Sequence, residues 1–180
     1  DVRSENVRNI MKTRLDTARM RGCDGVDADN VDGYTNDYGL DYSAQDQLEY
    51  NIFLAQEAHK RGLFIGLKNA MNQAGALEPY FDFSINEQCH QYNECDMLSD
   101  FANHKKPIVN IEYDNKYLDD LNMTILCNHS LSDKLYTLVL PHNLDGSFRK
   151  SCDAHLYESF GIGYGGSNAF KFHNDLWMQG

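Results

Sequence analysis

The feature that most constrains this chain is its rhythm. Stretches with apolar residues at helical spacing alternate with short apolar runs, and each run ends in polar side chains. Val7, Ile10, Met11, Leu15 and Ala18 recur at the helical period after a possible cap at Ser4, and Gly22 closes the segment. Gly25-Val-Asp-Ala-Asp-Asn then reads as a short strand entering a polar loop. A second helix follows Ser43, with Leu48, Ile52, Ala55 and His59 as its inner stripe and Gly62 at its end. Leu63-Phe-Ile-Gly-Leu-Lys-Asn is too apolar for a solvent-facing edge and reads as a buried parallel strand. The pattern continues with a helical turn around 73–77, a strand over 81–87, a helix over 94–103 and a strand over 107–113. Alternation at this spacing implies a parallel sheet with helical crossovers. The strands end in Asp27/Asp29/Asn30, Lys68/Asn69, Asn86/Glu87 and Glu112/Tyr113. Polar groups at every strand end select a (β/α)8 TIM barrel, whose strand ends share one mouth, over an open sheet with a single switch point.

Composition narrows the chemistry. With 42% apolar residues and only 3 prolines among 180 residues, a packed core is expected. The formal net charge of −11 leaves no basic surface for nucleic acid and suits a cationic ligand. No apolar run is long enough to span a bilayer. Five cysteines without a CxxC pair argue against structural zinc and for a secreted, disulfide-bonded chain. Asn122-Met-Thr and Asn128-His-Ser are glycosylation acceptors. No Gly-rich phosphate loop follows any strand; Gly161-Ile-Gly-Tyr-Gly-Gly belongs to an aromatic and glycine-rich tail.

The carboxylates carry the functional reading. Glycoside hydrolysis needs one protonated carboxyl for the leaving oxygen and one carboxylate as nucleophile or base. Asp27 and Asp29 share one face of a strand, Asp32 follows, and Glu87 ends another strand. Crowded carboxylates raise one another's pKa, which keeps one of them protonated. Asp-Ala-Asp-Asn-Val-Asp-Gly departs from a calcium-binding loop, because Val31 stands where an oxygen ligand is needed. Lys68 and Asn69 read as substrate hydrogen-bonding groups at the mouth, and Asp32 as a loop cap. Asp1 and Arg3 either pair with each other or touch the sugar. Tyr34, Tyr92 and Tyr113 are candidates for stacking on sugar rings. His59 and His90 read as structural.

Gly22-Cys-Asp-Gly-Val-Asp-Ala-Asp-Asn-Val-Asp-Gly-Tyr34, Gly66-Leu-Lys-Asn69 and Asn86-Glu-Gln-Cys-His-Gln-Tyr-Asn-Glu-Cys95 resemble, in order and spacing, motifs of the endo-α-1,4-polygalactosaminidases, glycoside hydrolase family 114. Asp1-Val-Arg3, Arg14-Leu-Asp16, Asp46-Gln-Leu48, Ala58-His-Lys-Arg-Gly62, Ile111-Glu-Tyr113 and Leu144-Asp145 fit as well, so the resemblance covers 1–152. It implies Asp29 and Glu87 as the catalytic pair, with Asp27 as understudy. Asp1, Arg3, Asp27, Asn30, Tyr34, Lys68, Asn69, Tyr92 and Glu112 are then expected to contact substrate. It also implies endo cleavage of a cationic α-1,4-linked galactosamine polysaccharide outside the cell, with no metal, no cofactor and no nucleic-acid or membrane partner. Strands four to eight are expected here and the first three upstream, so an open sheet edge and self-association are expected of this chain alone. Residues 153–180 have no counterpart in the resemblance. Cys89 and Cys95 flank one mouth loop and Cys127 and Cys152 bracket the last unit; these pairs are expected to bond, leaving Cys23 free and buried. The alternatives are a non-catalytic carbohydrate-binding remnant and a metal-dependent hydrolase with an acidic cluster.

Overall fold

Gly22 and Gly62, at φ 80° and 67°, take the left-handed conformation that ends a helix and turn the chain from α1 (Glu5–Met20) and α2 (Ala44–Lys60) into the strands that follow. The computed structural model describes residues 1–36 and 39–153. The proposed tail over 153–180 lies outside them, apart from its first residue. At the start of α2 the Ser43 hydroxyl accepts from Asp46 N while the Asp46 side chain accepts from Ser43 N, a reciprocal cap. Ser4 occupies the corresponding position before α1 but its side chain makes no capping bond.

Strands β1 (Gly25–Ala28), β2 (Phe64–Lys68), β3 (Phe83–Glu87), β4 (Ile108–Glu112) and β5 (Tyr136–Val139) lie side by side in chain order, and all are parallel. A doubly wound sheet reverses direction at a switch point, whereas one-way order is how a barrel wall is laid down. The crossovers are α2, then α3 (Ala74–Leu77) between 3-10 turns, then α4 (Cys89–Tyr92) with α5 (Ser99–Asn103), then α6 (Asp120–Ser132). The helix expected over 94–103 is divided into a 3-10 turn, Cys95–Leu98, and α5, while Leu98 and Phe101 are buried as expected. A short strand β6 (Lys150–Ser151), which the periodicity does not announce, pairs antiparallel with β5.

Packing explains the alternation. Ile65, Leu67 and Ile108 join Leu15, Leu54, Ala58, Leu77 and Phe101 in a core between sheet and helices. A smaller core gathers Met123, Leu126, Cys127, Val139 and Cys152 under α6. The neighbouring strand residues point to the opposite, inner face. Gly66 is required there, because a Cβ would meet the Phe83 ring at 2.3 Å. No helix among the described residues is long and apolar enough to cross a membrane.

Three surfaces differ from expectation. Ile10 is 60% exposed, so the inner stripe of α1 rests on Val7, Met11, Leu15 and Ala18. The buried face of α2 is Gln47, Tyr50, Asn51, Leu54, Ala55 and Ala58, rather than one running through Leu48 and His59. The reason is polar: Gln47 Nε2 donates to Asn51 Oδ1 and Asn51 Nδ2 donates to Val31 O, so the Asn51 amide is satisfied inside and Gln47 is tied to it through its nitrogen. Cys23 is free but exposed, since it sits in the turn after Gly22 rather than on a strand. Cys89–Cys95 and Cys127–Cys152 are both bonded.

Candidate active site

Each mouth side chain is aimed by a backbone turn. Asn30, Asn69 and Gln88 follow the ends of β1, β2 and β3 with φ of 55°, 52° and 63°. Left-handed backbone costs non-glycine residues energy, and asparagine tolerates it best. At Asn69 the turn is held by its own groups: its N–H donates to Ile85 O, and its Oδ1 accepts from Glu87 N at 2.9 Å.

Glu87 is the centre of the site. Its Oε2 accepts from Lys68 Nζ at 2.7 Å and from Asn69 Nδ2 at 3.0 Å, and its Oε1 accepts from the Tyr113 hydroxyl at 2.5 Å. Burial pushes its carboxyl up, but the donors Lys68, Tyr113 and Asn69 outweigh that and hold it at about 2. The Tyr113 hydroxyl is correspondingly pushed up, by burial and by its bond to Glu87. Lys68 also reaches Asp29 Oδ1 at 3.2 Å, so one ammonium bridges both carboxylates expected to be catalytic. Burial alone would lower the Lys68 pKa; the bonds to Glu87 and Asp29 reverse the sign and raise it.

Asp27 lies one alternation below Asp29 on the same face of β1. Its surface remains open to water, yet the surrounding protein is dense. Loss of hydration pushes its carboxyl up to about 6, with Lys68 pulling down and Asp29 and Glu87 pushing up. Desolvation by the surrounding protein is the largest effect, and the carboxylates of Asp29 and Glu87 add to it against the pull of Lys68.

Beside Glu87 a cleft of about 380 Å³ is lined by Asp32, Tyr34, Asn69, Gln88, Tyr92 and Glu94 among others. Asp32 lines this cleft and makes no side-chain cap; its carbonyl, not its carboxylate, accepts from Thr35. Asn30 sits in the turn itself, with its N–H on Asp29 Oδ1. Asp1 and Arg3 grip each other through two side-chain bonds of 2.9 and 3.0 Å and do not line this cleft.

Glu112 corrects the expectation that it contacts substrate. It is fully buried on the helix-facing side of β4, where its Oε1 accepts from Asn110 Nδ2 and from His90 N. Strand alternation dictates this: Tyr113, not Glu112, shares the mouth face with Glu87. The sequence offers Tyr113 only as a stacking group; its bond to Glu87 depends on register between β3 and β4, which a single sequence does not display. Among the described residues, the one group of three potential metal ligands within mutual reach is Cys89, His90 and Cys95, whose two thiols are consumed by their disulfide. Asp27, Asp29 and Asp32 form no such group.

Parallel strands in chain order, with carboxylates gathered at their carboxyl ends around one lysine, define this as the mouth side of a (β/α)8-barrel wall. The model of glycoside-hydrolase family GH114 matches residues 1–157, and the chain belongs to that family. The crystal structure of Ega3 from Aspergillus fumigatus in complex with galactosamine is 42% identical and superposes with a TM-score of 0.75, over 84% of this chain and 63% of Ega3. The glycoside hydrolase domain of PelA from Pseudomonas aeruginosa is 15% identical with a TM-score of 0.59, over 82% of this chain and 64% of that domain, and shares the fold. The chain thus spans a little under two thirds of these relatives. A search of curated proteins gives no match.

Proposed function

We propose that this chain carries the catalytic face of a glycoside hydrolase that cleaves α-1,4-linked, galactosamine-containing polysaccharide, with Asp29 and Glu87 as its two carboxylates. The observation that carries the reading is the Lys68 bridge. Lys68 Nζ lies 3.2 Å from Asp29 Oδ1 and 2.7 Å from Glu87 Oε2, so those two oxygens are no more than 5.9 Å apart. Between the two carboxyl groups, separations of about 5–5.5 Å suit a carboxylate nucleophile and retention, and about 6.5–9.5 Å admit the water of inversion. A bound on one oxygen pair is compatible with both, and the released anomer decides. Family membership and the galactosamine bound to Ega3 support the substrate class. A net charge of −11 supports a cationic polymer, because free galactosamine amines carry charge. Both disulfides, and the exposed positions of Asn122 and Asn128 on α6, support a secreted glycoprotein. The reading needs no cofactor or metal, and it ends the hydrolase unit near residue 152.

A second reading puts Asp27 in the place of Asp29. It is favoured by the Asp27 carboxyl at about 6, which holds a proton close to neutral pH as a general acid requires. The test is oligosaccharide release from a galactosamine polymer by wild type, Asp29→Asn, Glu87→Gln and Asp27→Asn. Asp29→Asn and Glu87→Gln are expected to lose at least about 10²–10⁴-fold. Activity retained in Asp29→Asn and lost in Asp27→Asn overturns the pair. The anomer released first, read by NMR, checks retention.

A further inference from the structure

Helix α6 is apolar on two sides. Met123, Leu126 and Cys127 are buried in the smaller core, and Ser130 is buried beside them. Leu121 and Ile125 point the other way and are 68% and 48% exposed. They stand four residues apart, so they are neighbours on the helix surface and form one patch. A surface helix ordinarily keeps its outward face polar, and a helix that is apolar all round belongs inside. The outward patch of α6 therefore calls for a cover.

The same face carries both Asn-X-Ser/Thr acceptors. Asn122 stands three residues before Ile125 and Asn128 three after it, and both are exposed. At that spacing each is a surface neighbour of Ile125, from opposite sides. Residues two apart on a helix do not face each other, so the folded helix turns Thr124 away from Asn122 and Ser130 away from Asn128. The hydroxyls are also engaged elsewhere. Thr124 Oγ1 donates to Asp120 O at 2.8 Å. Ser130 Oγ is buried, 2.9 Å from Leu135 O and 2.6 Å from Thr137 Oγ1. An acceptor defined by amide and hydroxyl together has to present both to the transferase. The folded helix presents neither pair, so transfer belongs to a chain in which α6 has not yet formed.

We propose that Asn122 and Asn128 are N-glycan attachment sites, filled before α6 closes, and that the two glycans then cover Leu121 and Ile125. The donor is an oligosaccharide linked to a lipid pyrophosphate. A bond forms between the asparagine Nδ2 and C1 of the first sugar, and the bond from C1 to the pyrophosphate oxygen breaks. The amide gives one proton to solvent and the lipid pyrophosphate leaves. The C–H faces of the sugar rings lie against the two aliphatic side chains, while their hydroxyls keep their water. The bulk of the two glycans keeps a protein partner from docking on this face. The inference rests on the secreted-glycoprotein part of the reading above and adds what the glycans do and when they are attached.

The full chain is secreted from a eukaryotic host in three forms: wild type, Asn122→Gln/Asn128→Gln, and that bare variant with Leu121→Ser/Ile125→Ser added. Glutamine is the better helix former, so the first pair of changes does not weaken α6 by itself. Glycopeptide mass spectrometry is expected to find both asparagines of the wild type occupied; bare asparagines in the secreted chain overturn the sites. The emission of a dye that binds apolar surface is expected to rise and shift to the blue in the bare variant. It is expected to return to the wild-type level once serines replace the apolar pair. An open sheet edge is common to all three proteins and cancels in the comparison. Unchanged emission in the bare variant overturns the covering role, and so does a rise that the serines leave in place, because the fold has then loosened elsewhere. The chain made in bacteria, folded and then given detergent-solubilised oligosaccharyltransferase with lipid-linked donor, is expected to stay bare; its modification overturns the order of events. Oligosaccharide release from a galactosamine polymer is measured on the same wild-type sample. A chain that is glycosylated but inactive overturns the hydrolase reading and leaves this one standing.

Discussion

Asp27 and Glu87 are pushed in opposite directions within one mouth. Glu87 sits at about 2 and is ionised throughout the working range, while Asp27 sits at about 6. The stability consequences have opposite signs. Glu87 is depressed from its ordinary 4.5, so it stabilises the fold above that value, and the contribution fades as pH falls toward 2. Asp27 is raised from 3.8, so the native state holds its proton more tightly, and stability falls as pH rises from about 4 to 6. Asp27→Asn is therefore expected to raise Tm at pH 7.5 and to remove the loss between pH 4 and 6, while leaving the loss below 4.5 in place. Thermal melts of both proteins from pH 3 to 8 check this. A variant that is less stable than wild type at pH 7.5 contradicts the assignment of Asp27 as a strained, crowded carboxylate.

At the scale of elements, the first four strands and the ends of α1 and α2 are legible in the sequence, because glycine stops and apolar periods are local signals, whereas the periodicity does not mark α6 or β5. What a single sequence does not display is which face a polar residue takes. Gln47 and Asn51 lie off the apolar stripe read through Leu48, Ile52, Ala55 and His59, yet are buried, Gln47 donating to Asn51 and Asn51 to Val31 O. Glu112 reads as a mouth residue by its place at a strand end, yet register turns it into the helix layer. The Lys68 bridge was equally hidden: proximity of β1, β2 and β3 ends is topological, so a lysine read as sugar-binding is found holding two carboxylates. Glu112 provides a test of face. Its pKa is raised by burial, against the bonds from Asn110 and His90 N. Glu112→Gln keeps an acceptor for both donors and removes a buried ionisable group, so stability at pH 8 holds or rises and kcat stays within about twofold. Glu112→Ala strands those donors at a cost of about 1–3 kcal/mol. Urea titrations and assays of the two variants, side by side, decide it; a large kcat loss in Glu112→Gln places Glu112 at the substrate after all.

For the whole molecule, the two disulfides close loops of very different length. Cys89–Cys95 spans a sequence separation of 6 and Cys127–Cys152 one of 25. On loop entropy alone these are worth about 2 and about 3.5 kcal/mol. A Cys127→Ser/Cys152→Ser double variant should lose the larger amount in denaturant unfolding, and Cys89→Ser/Cys95→Ser the smaller. The reverse order means that the short bond does more than restrict the unfolded chain.

The left-handed residues after β1, β2 and β3 also set where this site can change. Asn30, Asn69 and Gln88 each redirect the chain directly beyond a mouth strand, and any β-branched replacement there is sterically penalised. Asn69 is further committed through both ends of its amide. A mutational library aimed at new sugar preference gains little by randomising these three positions. Positions 34 and 92 face the cleft beside Glu87 without fixing the backbone of the strands. Diversity introduced there alters what the cleft holds while the turns that aim its carboxylates are inherited intact.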